Sequence, residues 1–155
     1  MAKRYFLRLG ILFSLVVFLA AGCGGSKAIK PSDDSVNATA AVNALNSIQA
    51  SYEARDMAGV LKHVSQDFKG SYSELETSLR KDMETFPNVS LETTVERVEL
   101  EGDLEKVVFN WFGNWTDKDG TKHEGRGNCV FVFKGTGSAI SLDSVIGDSP
   151  FGIVR

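Results

Sequence analysis

The sequence predicts an α+β domain: three N-terminal helices packed on a curved four-stranded antiparallel sheet. Three observations carry that prediction. Apolar residues recur at helical spacing from Ala41 to Phe86. They then alternate from Val89 onward, with one shift of phase, and the strand-like runs are separated only by short turns bearing glycine. Helices followed by hairpin-linked strands make a sheet with its helices on one face.

The elements follow in order. From Asn37, the stripe Ala41, Leu45, Ile48 and Tyr52 makes the first helix. Met57, Val60, Leu61, Val64 and Phe68 make a second, stopped at Gly70. Ser73-Glu74-Leu75-Glu76 reads as a capping box opening a third helix through Leu75, Leu79, Met83 and Phe86, which Pro87 ends. Val89, Leu91, Thr93 and Val95 alternate, and the phase then moves to Val98 and Leu100, so a β-bulge is expected near Glu96-Arg97. Gly102-Asp103 leads to a strand from Val107 to Trp115. Asp117-Lys118-Asp119-Gly120 turns the chain into Thr121 to Lys134, and Gly135-Thr136-Gly137 into Ala139 to Ile146.

The composition suits one domain and a leader. Of 155 residues, 43% are hydrophobic and 24% charged, which is too little chain for two cores. A net charge of −3 and a pI near 5.4 argue against a nucleic-acid partner. Residues 1–22 read as an export signal. Lys3, Arg4 and Arg8 precede an apolar run from Leu9 to Ala21, shorter than the roughly 20 residues that cross a bilayer. Leu19-Ala20-Ala21-Gly22-Cys23 resembles the bacterial lipobox, with Ala20 where that family prefers leucine. The resemblance implies cleavage between Gly22 and Cys23, lipid attachment at Cys23, and a membrane partner engaged through N-terminal acyl chains. Gly24 and Gly25, in place of a retention aspartate, favour the periplasmic side of the outer membrane in a cell that has one. An ordinary secretory signal or an uncleaved anchor is the alternative. Residues 23–36 read as a flexible tether and 37–155 as the domain. With Cys23 acylated, Cys129 has no partner for an intrachain disulfide and reads as a small buried apolar residue in a strand.

The order of elements resembles the NTF2-like (nuclear transport factor 2-like) superfamily, shared with ketosteroid isomerase-type and SnoaL-type proteins, over Ala44 to Gly147. Its carriers are Ile48 to Asp56, a helix ending in an acidic turn; Val64-Ser65-Gln66-Asp67-Phe68, matching an Asp-Phe habitual after helix two; and the run of long strands. The hairpin that the family often places between helices two and three is missing, only Lys69 to Tyr72 standing there. Part of the isomerases' catalytic apparatus sits on it, so the resemblance carries no catalytic residue to this chain.

Candidate chemistry centres on one sheet face. Tyr52, Phe109, Trp111, Trp115, Phe131 and Phe133 gather toward the helices, either lining a cone that takes a small apolar ligand or packing as a solid core. Within it, Trp115 is expected at the open mouth and Trp111 deeper. The opposite face carries Val108, Phe112, Val130 and Val132 among asparagines, too apolar for full solvation, and the resemblance implies homodimerisation through it. Acid–base candidates are His63, Asp67 and Tyr72, with His63 and Asp67 four apart on the second helix, although a surface pair fits that spacing as well. His63 and His123 are too far apart, with no thiolate to spare, for a metal site, and no cofactor motif is present. Asp117-x-Asp119-Gly120 opens like a calcium loop but lacks the later ligands, and reads as a turn. Three functions follow: a non-catalytic lipid-anchored module binding a small apolar ligand or a protein, a SnoaL-type or isomerase-type enzyme acting in the cone, or an envelope assembly factor working through the outer sheet face.

Overall fold

The computed structural model describes residues 32–153. The signal segment 1–22, the cleavage pair Gly22 and Cys23 and most of the tether lie outside the described residues. Helix α1 spans Asp33–Glu53. It starts four residues before Asn37 because Ser32 caps it, its hydroxyl accepting the Ser35 amide at 3.2 Å, and because Asp33 and Asp34 sit favourably at the positive end of the helix dipole. Residues 33–36, placed in the tether on composition, are its first turn.

Helix α2 is short, Met57–Leu61, with Asp56 capping the Gly59 amide at 2.9 Å. The apolar stripe continues to Phe68 in sequence, but the chain leaves the helix at Lys62. Val64 instead bridges Leu142: the Leu142 amide donates to the His63 carbonyl at 2.7 Å, and the Ser65 amide to the Leu142 carbonyl at 2.9 Å. Residues 63–69 thereby cover the edge of the last strand, and pairing an exposed strand edge outweighs a weak local helical period. Helix α3 spans Tyr72–Thr85. Its cap is Ser71, which accepts the Glu74 amide at 3.2 Å, so the helix opens two residues earlier than the Ser73 box predicts.

The sheet is a meander of β1 (Asn88–Glu101), β2 (Leu104–Thr116), β3 (Lys122–Lys134) and β4 (Ser141–Gly147), antiparallel throughout. The expected bulge is there, as a register shift between Val95 and Arg97, and a second shift lies between Val132 and Phe133. A 3₁₀ turn, Gly137–Ala139, precedes β4 where strand was expected from Ala139. Side chains of α1 satisfy the free edge of β1 at Leu91, whose amide donates to Glu53 at 2.6 Å and whose carbonyl accepts from Gln49 Nε2; Gln49 Oε1 also accepts the Thr93 hydroxyl at 2.7 Å.

Strand alternation then divides the sheet. Val107, Phe109, Trp111 and Trp115 of β2 join Cys129, Phe131 and Phe133 of β3 in a core with Leu45 and Ile48 of α1 and Leu79 of α3. Among the described residues no helix covers the other face. There the register lines up Val108, Val130 and Ile146 across three strands, with Phe112 four residues along β2; Phe112 is 37% exposed and Ile146 55%.

Candidate functional site

The six aromatic residues, expected either to line a cone or to pack as a solid core, converge on one another. Tyr52, Phe109, Trp115, Phe131 and Phe133 are at most 1% exposed and Trp111 6%. Phe109 meets Phe131 edge-on with centroids 4.9 Å apart, and Phe131 meets Phe133 at 6.2 Å. Phe151, from the C-terminal segment, closes the group, 4.9 Å from Tyr52 and 6.0 Å from Phe131. In place of the open cone there is a filled core.

The tryptophans also exchange their expected places: Trp115 is the deep one, and Trp111 reaches the surface beside Arg126 and Asp148. Four residues of strand separate their Cα atoms by roughly 13 Å at about 3.3 Å per residue. Their rings nevertheless meet edge-on at 6.1 Å. Glycine makes this contact possible. The Trp115 ring folds back over Gly113, where a Cβ would lie 2.1 Å from it, and Gly125, paired with Gly113, lies under both rings. Gly127, opposite Trp111, leaves room for its indole, whose N–H donates to the Asp148 carbonyl at 2.7 Å. Three glycines on the inner face of two paired strands were the readable signal, and only the pairing register turns them into one hollow.

A polar chain crosses this core. Trp115 Nε1 donates to the Tyr52 hydroxyl at 2.9 Å, and Tyr52 donates to Asp82 Oδ2 at 2.9 Å. The same carboxylate oxygen accepts the amides of Gly152 at 2.7 Å and Ile153 at 3.3 Å. Burial, and then the Asp82 charge, raise the Tyr52 phenol far above its ordinary pKa, so it stays a donor. The chain ties α1, α3, β2 and the C-terminal segment together, which is a structural task. Sequence reasoning passed over Asp82, although its place was legible: it lies three residues after Leu79 and four before Phe86, on the apolar stripe of α3.

The acid–base candidates do not assemble. Because the second helix stops at Leu61, His63 and Asp67 share no helical face; Asp67 is exposed, its amide taken by the Ser65 hydroxyl at 3.1 Å. Tyr72 opens α3 and packs on the edge of the core. Cys129 is buried, and burial pushes its thiol up to about 12, which leaves it inert. Asp117 uses one carboxylate oxygen to accept the amides of Asp119 and Thr121, each at 2.9 Å, and the other faces His123 at 3.3 Å. Those hydrogen bonds hold its carboxyl below the usual range and make the segment a turn. Among the described residues no group of three or more His, Cys, Asp or Glu could hold a metal ion.

His63 has a different setting. It lines a recess of about 560 Å³ beside the first half of α1, walled by Val36, Thr39, Asn43 and Ser47 and, from the turn before β4, Ile140. Its Nε2 is buried and without a hydrogen-bond partner. Burial, with Lys62 adding to it, lowers its pKa, so the ring is neutral at physiological pH. On the outer sheet face a smaller recess of about 400 Å³ runs past Glu92, Asn110, Phe112, Arg126 and Asn128.

No protein-family model matches the chain, and no curated protein matches it in sequence. Solved structures do. An NTF2-like superfamily protein from Salmonella enterica serovar Typhimurium superposes with a TM-score of 0.63 at 14% identity, over 77% of this chain and 94% of that one. A protein described as a candidate aromatic ring hydroxylase, from Novosphingobium aromaticivorans, gives 0.64 at 14%, over 74% and 91%. A candidate dehydratase of the NTF2-like family, from Streptomyces avermitilis, gives 0.61 at 13%, over 72% and 95%. Identities this low establish the fold, an NTF2-like α+β fold, and leave the chemistry to the residues of this chain.

Proposed function

We propose that this chain is a lipid-anchored protein of the bacterial cell envelope whose NTF2-like domain is a non-catalytic binding module, and that it engages protein partners, first a second copy of itself, through the outer face of its sheet. The anchor reading rests on Lys3, Arg4, Arg8, the apolar run and Cys23. The module reading rests on one observation: the interior is packed with aromatic rings, while an apolar patch on the sheet lies open. Register sets Glu92, Phe112 and Arg126 side by side across β1, β2 and β3, with the Val108–Val130–Ile146 row four residues along, beyond the Asn110–Asn128 pair. An apolar centre with one acid and one base on opposite flanks is self-complementary: two copies related by a twofold axis bring Glu92 of each toward Arg126 of the other.

The experiment is sedimentation of the mature chain with Cys23→Ser, so that no lipid confuses its mass, beside the same chain carrying Phe112→Asp and Ile146→Asp. Both positions are exposed, so the fold tolerates the change. The parent sediments as a dimer and the variant as a monomer with unchanged circular dichroism. A parent that stays monomeric at the highest soluble concentration would sink the dimer reading. The enzyme alternative draws support from the hydroxylase and dehydratase descriptions of its structural relatives. It requires an interior that opens, because the aromatic cluster leaves no room for a substrate.

A further inference from the structure

We propose that the C-terminal segment, Asp148–Ile153, is a displaceable strap, and that the place it vacates takes a neutral aromatic molecule bearing an amide N–H. This goes beyond the sheet-face reading, and its test touches that face nowhere. The first ground is how the segment is held. Among the described residues its hydrogen bonds to the rest of the domain lie at its two ends. Asp148 donates its amide to the Asn128 carbonyl at 2.9 Å, and its own carbonyl accepts the Trp111 indole at 2.7 Å. Gly152 and Ile153 donate to Asp82 Oδ2, at 2.7 and 3.3 Å. Between the ends Pro150 has no N–H, and the Phe151 amide donates to the segment's own Ser149 hydroxyl at 3.1 Å. Burial is concentrated in Pro150 and Phe151. The segment shares a recess of about 310 Å³ with Phe68, Leu75 and Val145, and another of about 520 Å³ with Trp111 and Arg126. Gly147, where β4 ends, has a φ of 89°, in the left-handed region, so a hinge stands where the segment begins.

The second ground is what lies beneath. The Phe151 ring, 7% exposed, meets Tyr52 and Phe131 with centroids 4.9 and 6.0 Å apart. Neither partner depends on it. Tyr52 is fixed by its bonds to Asp82 and Trp115, and Phe131 by Phe109, Phe133 and its place in β3. The floor therefore outlasts the strap, as a local opening requires. Lifting the segment bares a slot of phenyl size beside a carboxylate oxygen that has lost two donors. A carboxylate only accepts, so the molecule that enters must donate. An anion would meet the Asp82 charge and is excluded. The segment itself supplies the pattern: the ring of Phe151 fills the slot while the next amide, of Gly152, reaches Asp82. A neutral aryl amide reproduces both contacts. Strap and ligand compete for one place, so the closed strap weakens the ligand in proportion to the fraction of time the site is open.

Hydrocinnamamide is the probe, with a phenyl ring and an amide N–H at the spacing of the Phe151–Gly152 link. Methyl hydrocinnamate, which lacks the N–H, and hydrocinnamate, an anion, are its controls. Amide hydrogen exchange is followed by NMR in the mature chain with Cys23→Ser, labelled with ¹⁵N. The Gly152 and Ile153 amides exchange at least about 100-fold faster than those paired between β2 and β3, through an opening that urea below the unfolding transition does not speed. Hydrocinnamamide shifts the Trp115 indole resonance and quickens exchange at Gly152 and Ile153, both saturably. The ester binds roughly tenfold more weakly, the worth of one hydrogen bond, and the anion does not bind. Gly152→Pro removes a donor and cannot hold the native φ of 77°, so it frees the strap. That variant binds hydrocinnamamide at least about tenfold tighter than the parent, with the amide spectrum of the sheet unchanged. Gly152 and Ile153 amides that exchange only as fast as the sheet overturn the strap. No saturable quickening in the parent, or a folded Gly152→Pro that binds no tighter, overturns the site beneath it.

Discussion

Both faces of the sheet carry large apolar residues, and these have opposite fates. On the inner face Phe109, Trp111, Trp115, Phe131 and Phe133 lock into one another and are sealed by α1, α3 and Phe151. On the outer face Phe112 and Ile146 stand partly in water beside Val108 and Val130. A large apolar side chain on a strand is therefore not by itself a core residue. What separates them is complementarity: the inner face has glycines that admit the indoles and a carboxylate that ties down the covering segment, whereas the outer face has neither.

The largest test of that contrast removes one ring from each face. Phe131→Ala should cost about 3–5 kcal/mol in urea unfolding, and Phe112→Ala less than about 0.5 kcal/mol, since only the first leaves a cavity. Equal costs would mean the outer face is also covered. Next comes Gly113→Ala, whose new methyl would displace the Trp115 ring. Overpacking of this kind costs roughly 1–3 kcal/mol, and the near-ultraviolet circular dichroism of the indoles should change with it; an unaltered spectrum would show that the two rings do not depend on that glycine.

The smallest effect is electrostatic. Glu105 lies on the inner face, 2% exposed, with Oε2 unpaired, and burial, then Asp103, raises its pKa. A raised carboxyl binds its proton more tightly folded than unfolded, so stability is greatest below the unfolded value, declines as pH rises through the folded one, and is level above it. Glu105→Gln should remove that decline and gain about 1 kcal/mol at pH 7. Unfolding curves at pH 4 and pH 7 check both; a Glu105→Gln protein less stable at pH 7 than its parent would reverse the assignment.

Much of this architecture is local. The Ala41–Tyr52 stripe, the alternation on β2 and β3 and the Asp117–Gly120 hairpin determine their elements because each signal lies within a few residues of the structure it specifies. The site is less legible. Tyr52 and Asp82 are thirty residues apart, and nothing in the spacing of either says that one oxygen will take the hydroxyl of the first and two amides of the C-terminal segment. His63 looked like half of a helical dyad with Asp67, and became the lone imidazole of a recess once Val64 paired with Leu142.

Sequence alone thus determined the order of helices and strands, the bulge after Val95, which strand residues face inward, and the expectation of an acylated Cys23. Tertiary structure alone decided that α2 stops at Leu61, that Trp115 lies deeper than Trp111, that the cone is filled, and that a recess opens at His63. The physical reason is range. Periodicity and capping act over one or two turns of chain, whereas closing a cavity depends on the volumes and free hydrogen-bonding groups of segments that meet only after folding.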